Sequence, residues 1–280
     1  MQTVAIFGVG LIGGSFALAL KKAGFTGEIL GVSSPRSISQ AVDRRAIDRG
    51  ATFEEAAAKA DLVYLAYPIE RIIEDIARLK PLLKEGALVT DAGSTKRLIV
   101  EAALVHLPAG AFLGGHPMAG KESRGVLEAD ANLFRGRTYV LTPAIAGQLN
   151  TAAGQWMLEW VRRIGANPLV LPPEAHDHAV ALTSHLPQLA STALTLLLSR
   201  QLTDPDEQRT AGPGLQDMSR LALSSFEMWK DILVTNSAEI DAALAAYIDV
   251  LTSLRSNLNS QAFADAAEFR RKLYQTVVLK

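Results

Sequence analysis

Gly8, Gly10 and Gly13, within Val4-Ala5-Ile6-Phe7-Gly8-Val9-Gly10-Leu11-Ile12-Gly13-Gly14-Ser15, fall on the G-x-G-x-x-G spacing. An apolar strand precedes them, and a helix is predicted from Ser15 to Lys22. In that setting glycine is needed for a sharp turn, for close backbone approach to a pyrophosphate, and for tight helix-on-strand packing. The helix N-terminus adds N–H groups and the positive end of its dipole. Gly8, Gly10, Leu11, Ile12 and Gly13 are therefore candidate dinucleotide contacts. A second strand, Glu28 to Val32, should end where an acidic residue usually holds the adenosine ribose. Ser33-Ser34-Pro35-Arg36 stands there instead. Hydroxyls and a guanidinium suit a 2′-phosphate, so Ser33, Ser34 and Arg36 predict NADP over NAD.

A second reactive stretch is Gly114-Gly115-His116-Pro117-Met118-Ala119-Gly120. Small residues bracket one imidazole at what reads as a strand's carboxyl end. Such a loop makes a poor core and a good site.

The elements that must position these residues alternate. Helices are predicted over Gln40 to Gly50, Phe53 to Ala60 and Ile69 to Leu83. Strands are predicted over Asp61 to Ala66 and Ala87 to Thr90. This is the pattern of a doubly wound parallel sheet. Ligands then lie beyond the strands' carboxyl ends, which brings Tyr67, Pro68 and Ser94 to the crevice of Gly8 and Gly10. The strand Thr138 to Leu141 is expected to close the sheet, with Pro143 to Asn150 as a domain junction. A helix over Thr151 to Ile164 and a strand over Leu169 to Leu171 still have room on the first domain.

From about Pro173 the pattern is helix only. His176 to Arg200 is interrupted at Pro187, which must break or kink it. His178 and His185 are spaced to share a face. Further helices are predicted over Asp217 to Thr235, Ala238 to Leu258 and Phe263 to Val278. Ile240, Leu244, Tyr247, Leu251, Leu254 and Leu258 form an a/d stripe that wants a partner helix, either in a homodimer or in an intramolecular bundle. The expected architecture is α/β: a Rossmann-type doubly wound domain over 1–172, then an all-helical domain over 173–280.

Composition narrows the function classes. A 280-residue chain, 49% hydrophobic and 20% charged, describes a globular protein with a sizeable core. A formal net charge of −1 suggests neither nucleic acid nor an acidic membrane surface as partner. With no cysteine there is no disulfide, thiolate metal site or cysteine nucleophile, and no metal site is predicted. No basic n-region precedes the first apolar run, and no apolar segment reaches the ~18 residues of a membrane span. The expected location is the cytoplasm.

These motifs resemble the prephenate/arogenate dehydrogenase family of tyrosine biosynthesis. The matching blocks are the glycine turn, Asp91-Ala92-Gly93-Ser94-Thr95-Lys96, the His116 block, Thr183-Ser184-His185-Leu186-Pro187 and Asp217-Met218-Ser219-Arg220. The glycine turn is common to all Rossmann enzymes, whereas the His116 and His185 blocks are far more specific. The resemblance implies oxidative decarboxylation of a cyclohexadienol. Hydride leaves C4 for the nicotinamide, the 4-hydroxyl loses its proton, and the ring carboxylate leaves as CO₂. It implies that His116 is the base or hydrogen-bond acceptor at the 4-hydroxyl, because imidazole titrates near working pH. Ser94 is implied to bond the substrate hydroxyl or His116, although serine is also a favoured helix cap. His185 is implied at a substrate carboxylate, and Arg220 as a bidentate carboxylate anchor.

One departure stands out. Gln216 occupies a place where many relatives carry Arg or Lys. A neutral amide there suits the ammonium of arogenate better than the keto acid of prephenate. Two rivals also use the glycine turn: a 3-hydroxyacid or imine dehydrogenase, and a non-catalytic NADP-binding sensor. The His116 and His185 blocks speak against the first. The second has no need of His116, Ser94 and Arg220 together.

Overall fold

The computed structural model describes residues 1–278, with side chains described through Gln275. By backbone contacts it divides into one unit of Met1–Asp177 with Lys230–Thr235, and a second of His178–Trp229 with Asn236–Lys280.

The first unit is built from β1 (Thr3–Phe7), α1 (Leu11–Lys22), β2 (Glu28–Val32), α2 (Pro35–Asp43), β3 (Arg49–Gly50), α3 (Phe53–Lys59), β4 (Leu62–Leu65) and α4 (Ile69–Leu79). It continues with β5 (Leu88–Asp91), α5 (Arg97–His106), β6 (Phe112–Pro117), β7 (Thr138–Pro143), α6 (Ala152–Arg163) and β8 (Asn167–Val170). The strands form an eight-stranded sheet in the order β3-β2-β1-β4-β5-β6-β7-β8. Chain order reverses between β1 and β4, so the crevice of such a sheet opens beyond their carboxyl ends. β1 and β4 run parallel with Phe7 opposite Leu65, which puts Gly8 beside Ala66 and Tyr67.

The sheet departs from the expected all-parallel form in one place. β7 pairs antiparallel to β6, with His116 opposite Val140. β7 does not close the sheet either: β8 follows parallel to it at the edge. Pro143–Asn150 is therefore no domain junction, because α6 and β8 beyond it complete the first unit. The predicted helix over Gln40 to Gly50 is also corrected. Ser34 caps α2 by accepting from Ser37 N–H, and Pro35 starts it, so the helix begins earlier and ends at Asp43. Arg49–Gly50 then pairs with β2.

Apolar runs bury β1, β4 and β5 on both faces, as a covered sheet requires. Phe16 of α1 stacks on Tyr64 with ring centroids 4.0 Å apart. The Tyr64 and Tyr139 hydroxyls pair at 3.2 Å, satisfying two buried polar groups.

α7 (Pro173–Val180) starts in the first unit. The helical unit continues with α8 (Leu186–Gln201), α9 (Pro205–Gln208), α10 (Pro213–Ser219), α11 (Phe226–Thr235), α12 (Ser237–Ser256) and α13 (Ser260–Val278). The break or kink expected at Pro187 lies before it. Residues 181–185 form a π-helical turn just ahead of Pro187, and the backbone stays helical through His185 and Leu186 into α8, so the proline distorts the helix without ending it. The single helix predicted over Asp217 to Thr235 is instead α10, a 3-10 turn (Arg220–Leu223) and α11. α12 ends at Ser256, so Leu258 lies beyond the helix that was to carry it; of the rest of the stripe, Ile240 is buried, Leu244, Tyr247 and Leu254 are half-buried, and Leu251 is exposed. No helix among the described residues is long and apolar enough to cross a membrane.

Candidate active site

The glycine turn follows from steric need. Gly8 has φ +93°, and a Cβ there would lie 2.5 Å from the Ala66 carbonyl oxygen. A Cβ on Gly13 would lie 2.2 Å from the Gly8 oxygen, so only glycine lets α1 sit this close to β1. Gly10 meets nothing within 4 Å: its absent side chain leaves open space at the N-terminus of α1. The helix starts at Leu11, earlier than its sequence pattern suggests. Leu11, Ile12 and Gly13 therefore hold first-turn N–H groups, which have no carbonyl partner within a helix. An open cradle of backbone donors at a positive dipole end fits a pyrophosphate.

Around that cradle, Tyr67 presents its ring rather than its hydroxyl. Its Cδ1 lies 2.8 Å from where a Gly8 Cβ would stand. Its hydroxyl donates to Asp75 Oδ2 at 2.7 Å, and the Arg71 guanidinium lies 4.7 Å above its ring. Burial, then the neighbouring Asp75 carboxylate, push its pKa above the ordinary phenol value. Pro68 is exposed at the head of α4. Ser33, Ser34 and Arg36 are all exposed at the carboxyl end of β2. The Ser34 hydroxyl is engaged with Ser37, but an oxygen lone pair and the Arg36 fork remain suited to a phosphate.

His116 sits within β6, not on a flexible loop, and its flanking glycines serve strand packing. A Cβ on Gly115 would lie 2.6 Å from the Asp91 carbonyl oxygen, and one on Gly114 would lie 2.1 Å from Thr142 Oγ1. Gly115 is gripped on both sides. Its N–H donates to Asp91 Oδ1 at 3.0 Å, and its carbonyl accepts from Lys96 Nζ at 2.8 Å. Lys96 and Asp91 are themselves a fully buried ion pair. Burial pushes the Lys96 pKa down, while the Asp91 carboxylate opposes that shift. Ser94 lies on a loop pinned at both ends: Gly93 N–H donates to Asp91 at 2.8 Å, and Lys96 N–H donates to Asp177 at 2.7 Å. Ser94 does not cap α5. Asp177 does so from outside the helix, also accepting from Arg97 N–H at 2.9 Å.

Two residues that sequence reasoning missed complete this cluster. His176 Nε2 lies 2.8 Å from His116 Nδ1, and His176 Nδ1 lies 2.8 Å from Asp177 Oδ1. The adjacent His-Asp pair was the visible signal, since a carboxylate beside an imidazole fixes its tautomer. Nothing in the spacing said that it faces β6.

In the helical unit, Asn236 Nδ2 donates to His185 Nδ1 at 3.3 Å. That leaves the proton of a neutral His185, a buried side chain, on Nε2. The Trp229 and His185 rings pack edge to face, with centroids 5.8 Å apart. Trp229 Nε1 is buried without a hydrogen-bond partner among the described residues, so a ligand acceptor would satisfy it. His178 is exposed and meets Glu239 instead, at 2.8 Å. Arg220 and Gln216 are exposed. The turn that Arg220 opens is tied to α8 by Gln188 donating to the Leu221 carbonyl at 2.8 Å and by Ala222 N–H donating to Ser191 Oγ at 3.1 Å.

Residues 16–167 match the family model described as the prephenate dehydrogenase nucleotide-binding domain, and residues 172–275 match that of the prephenate dehydrogenase dimerization domain. The chain belongs to the prephenate dehydrogenase family. It is 34% identical to prephenate dehydrogenase of Lactococcus lactis, over 99% of this chain and 78% of that one. The structure of prephenate dehydrogenase from Aquifex aeolicus with hydroxyphenyl propionate and NAD+ matches with TM-score 0.85 and 32% identity, over 99% of this chain and 97% of that one. Synechocystis arogenate dehydrogenase matches with TM-score 0.78 and 30% identity, over 98% and 97%. Like the family, the chain is an NAD(P)-dependent oxidoreductase with a Rossmann-type sheet and a helical C-terminal region.

Proposed function

We propose that this family member performs the oxidative decarboxylation of a cyclohexadienol with NADP, arogenate being preferred over prephenate. The observation that carries the reading is His116: a half-buried imidazole held by Asp91 and Lys96 through Gly115, in the same unit as the nucleotide cradle. His116 accepts the proton of the substrate's 4-hydroxyl as the C4 hydride leaves. Loss of the ring carboxylate as CO₂ returns the electrons of that C–C bond to the ring, which becomes aromatic. The nicotinamide, when bound, is the hydride acceptor. Ser94 bonds the reacting hydroxyl or His116. His185 and Arg220 hold carboxylates, the first through its Nε2–H and the second through its guanidinium fork. Gly8, Gly10, Leu11, Ile12 and Gly13 hold the pyrophosphate, with Tyr67 and Pro68 alongside.

Two residue choices support the finer reading. Ser33, Ser34 and Arg36 offer donors and positive charge to a 2′-phosphate, with no carboxylate to repel it. Gln216 offers a neutral amide where the arogenate side chain bears an ammonium. Specificity constants for arogenate and prephenate, each with NADP and NAD, test both. The largest is expected for arogenate with NADP. A clear preference for prephenate overturns the Gln216 argument, and a clear preference for NAD overturns the Arg36 argument. The helical unit is also inferred to make a homodimer. Its matched family model carries that description, and Leu251, Phe263 and Phe269 are exposed apolar side chains on α12 and α13.

A further inference from the structure

We propose that Asp177 and His176 set the tautomer of His116, placing its proton on Nδ1 and its lone pair on Nε2. Each Asp177 oxygen already accepts a backbone N–H, Oδ1 from Lys96 at 2.7 Å and Oδ2 from Arg97 at 2.9 Å. Asp177 therefore faces His176 as an acceptor, and His176 Nδ1, 2.8 Å away, is the donor. A neutral imidazole carries one proton, so His176 Nε2 is then an acceptor. Across 2.8 Å it meets His116 Nδ1, which must be the donor. The His116 lone pair falls to Nε2. His176 is wholly buried and Asp177 nearly so, and no water needs to enter the chain of bonds.

The charged groups near this chain are Lys96 and Asp91, paired with each other, and Arg97, which pairs with Glu101. Asp177 is fixed to the start of α5 and the same α5 approach carries Ser94, so one carboxylate both anchors the loop and orients the base. His176 and Asp177 are thus positioning residues that act through His116. During turnover the imidazolium formed at His116 keeps its Nδ1–H on His176, so no second proton need move.

This inference rests on the reading of His116 as the base, and its test separates the two. Uniformly ¹⁵N-histidine-labelled full-length protein is examined by long-range ¹H–¹⁵N spectra at neutral pH, with His116 assigned by loss of its signals in His116→Asn. Nδ1 of His116 is expected at the protonated shift and Nε2 at the unprotonated shift. The opposite assignment, or a fast mixture of both, overturns the proposal whatever His116→Asn does to turnover. Kinetics give a second arm. His176→Phe keeps a ring but no acceptor, and is expected to lower kcat about 10²-fold with the coenzyme KM unchanged. His176→Gln, whose amide oxygen can accept from Nδ1–H, should recover part of that loss. Equal losses in the two variants, or none in either, contradict the proposal.

Discussion

Gly115 has its N–H on Asp91 and its carbonyl on Lys96, so the residue before His116 cannot rotate without breaking both bonds. The aim of the imidazole is thus set by backbone that two buried charges hold. Gly115→Ala tests this. Its Cβ would stand 2.6 Å from a backbone oxygen, which cannot yield as a side-chain end can. The variant is expected to lose about 1–3 kcal/mol in denaturant unfolding and to lose turnover as well, since β6 must shift. Wild-type values for both would contradict the account. His116 stood out as a candidate in the sequence because an imidazole between glycines is an unusual choice for a core. His176 and Asp177 were not. Both lie on a helix whose pattern says only that one face is apolar, and their partners are 60 and 80–81 residues away.

At the scale of elements, helices and strands of the first unit followed from alternation, and one error came where glycine was read as a loop signal. Gly114 and Gly115 are strand residues chosen for close packing against Thr142 and Asp91. Asp61 shows how the sheet's first strand is pinned. It sits just before β4 and accepts from Gln2 N–H and Thr3 N–H, and it pairs with Lys84. Burial raises its pKa, but the bonds from Lys84, Gln2 and Thr3 outweigh this and bring it down to about 2. A depressed carboxylate contributes stability that is present above its unfolded pKa of about 4 and lost as pH falls toward the folded value. Asp61→Asn should therefore cost about 1–2 kcal/mol at pH 7, reduced from the full shift because Asp61 is partly exposed. That difference should shrink between pH 4 and pH 2 in denaturant titrations. A constant gap across that range would contradict the assignment.

For the whole molecule, the nucleotide-binding half was legible because a parallel sheet needs short apolar strands and glycine at its phosphate turn. The antiparallel direction of β7 and the place of β8 at the edge were less so, because strand direction leaves no mark in a short strand's sequence. In the helical half, the stripe read from spacing holds only in part: Leu251 of α12 is exposed, but Ile240 is buried and Leu258 lies past the helix end, and the open side chains bear on assembly. Light scattering over a range of concentrations is expected to give twice the 30.0 kDa chain mass. A monomer at every concentration would rule out the homodimer. The chemistry is tested most directly by one comparison, the rate of NADP reduction with arogenate for wild type and for His116→Asn. The wild type should reduce coenzyme and release CO₂ in equal amounts. The variant should turn over about 10²–10⁴-fold more slowly while still binding NADP. Undiminished turnover in the variant would remove His116 from the mechanism and with it the central claim.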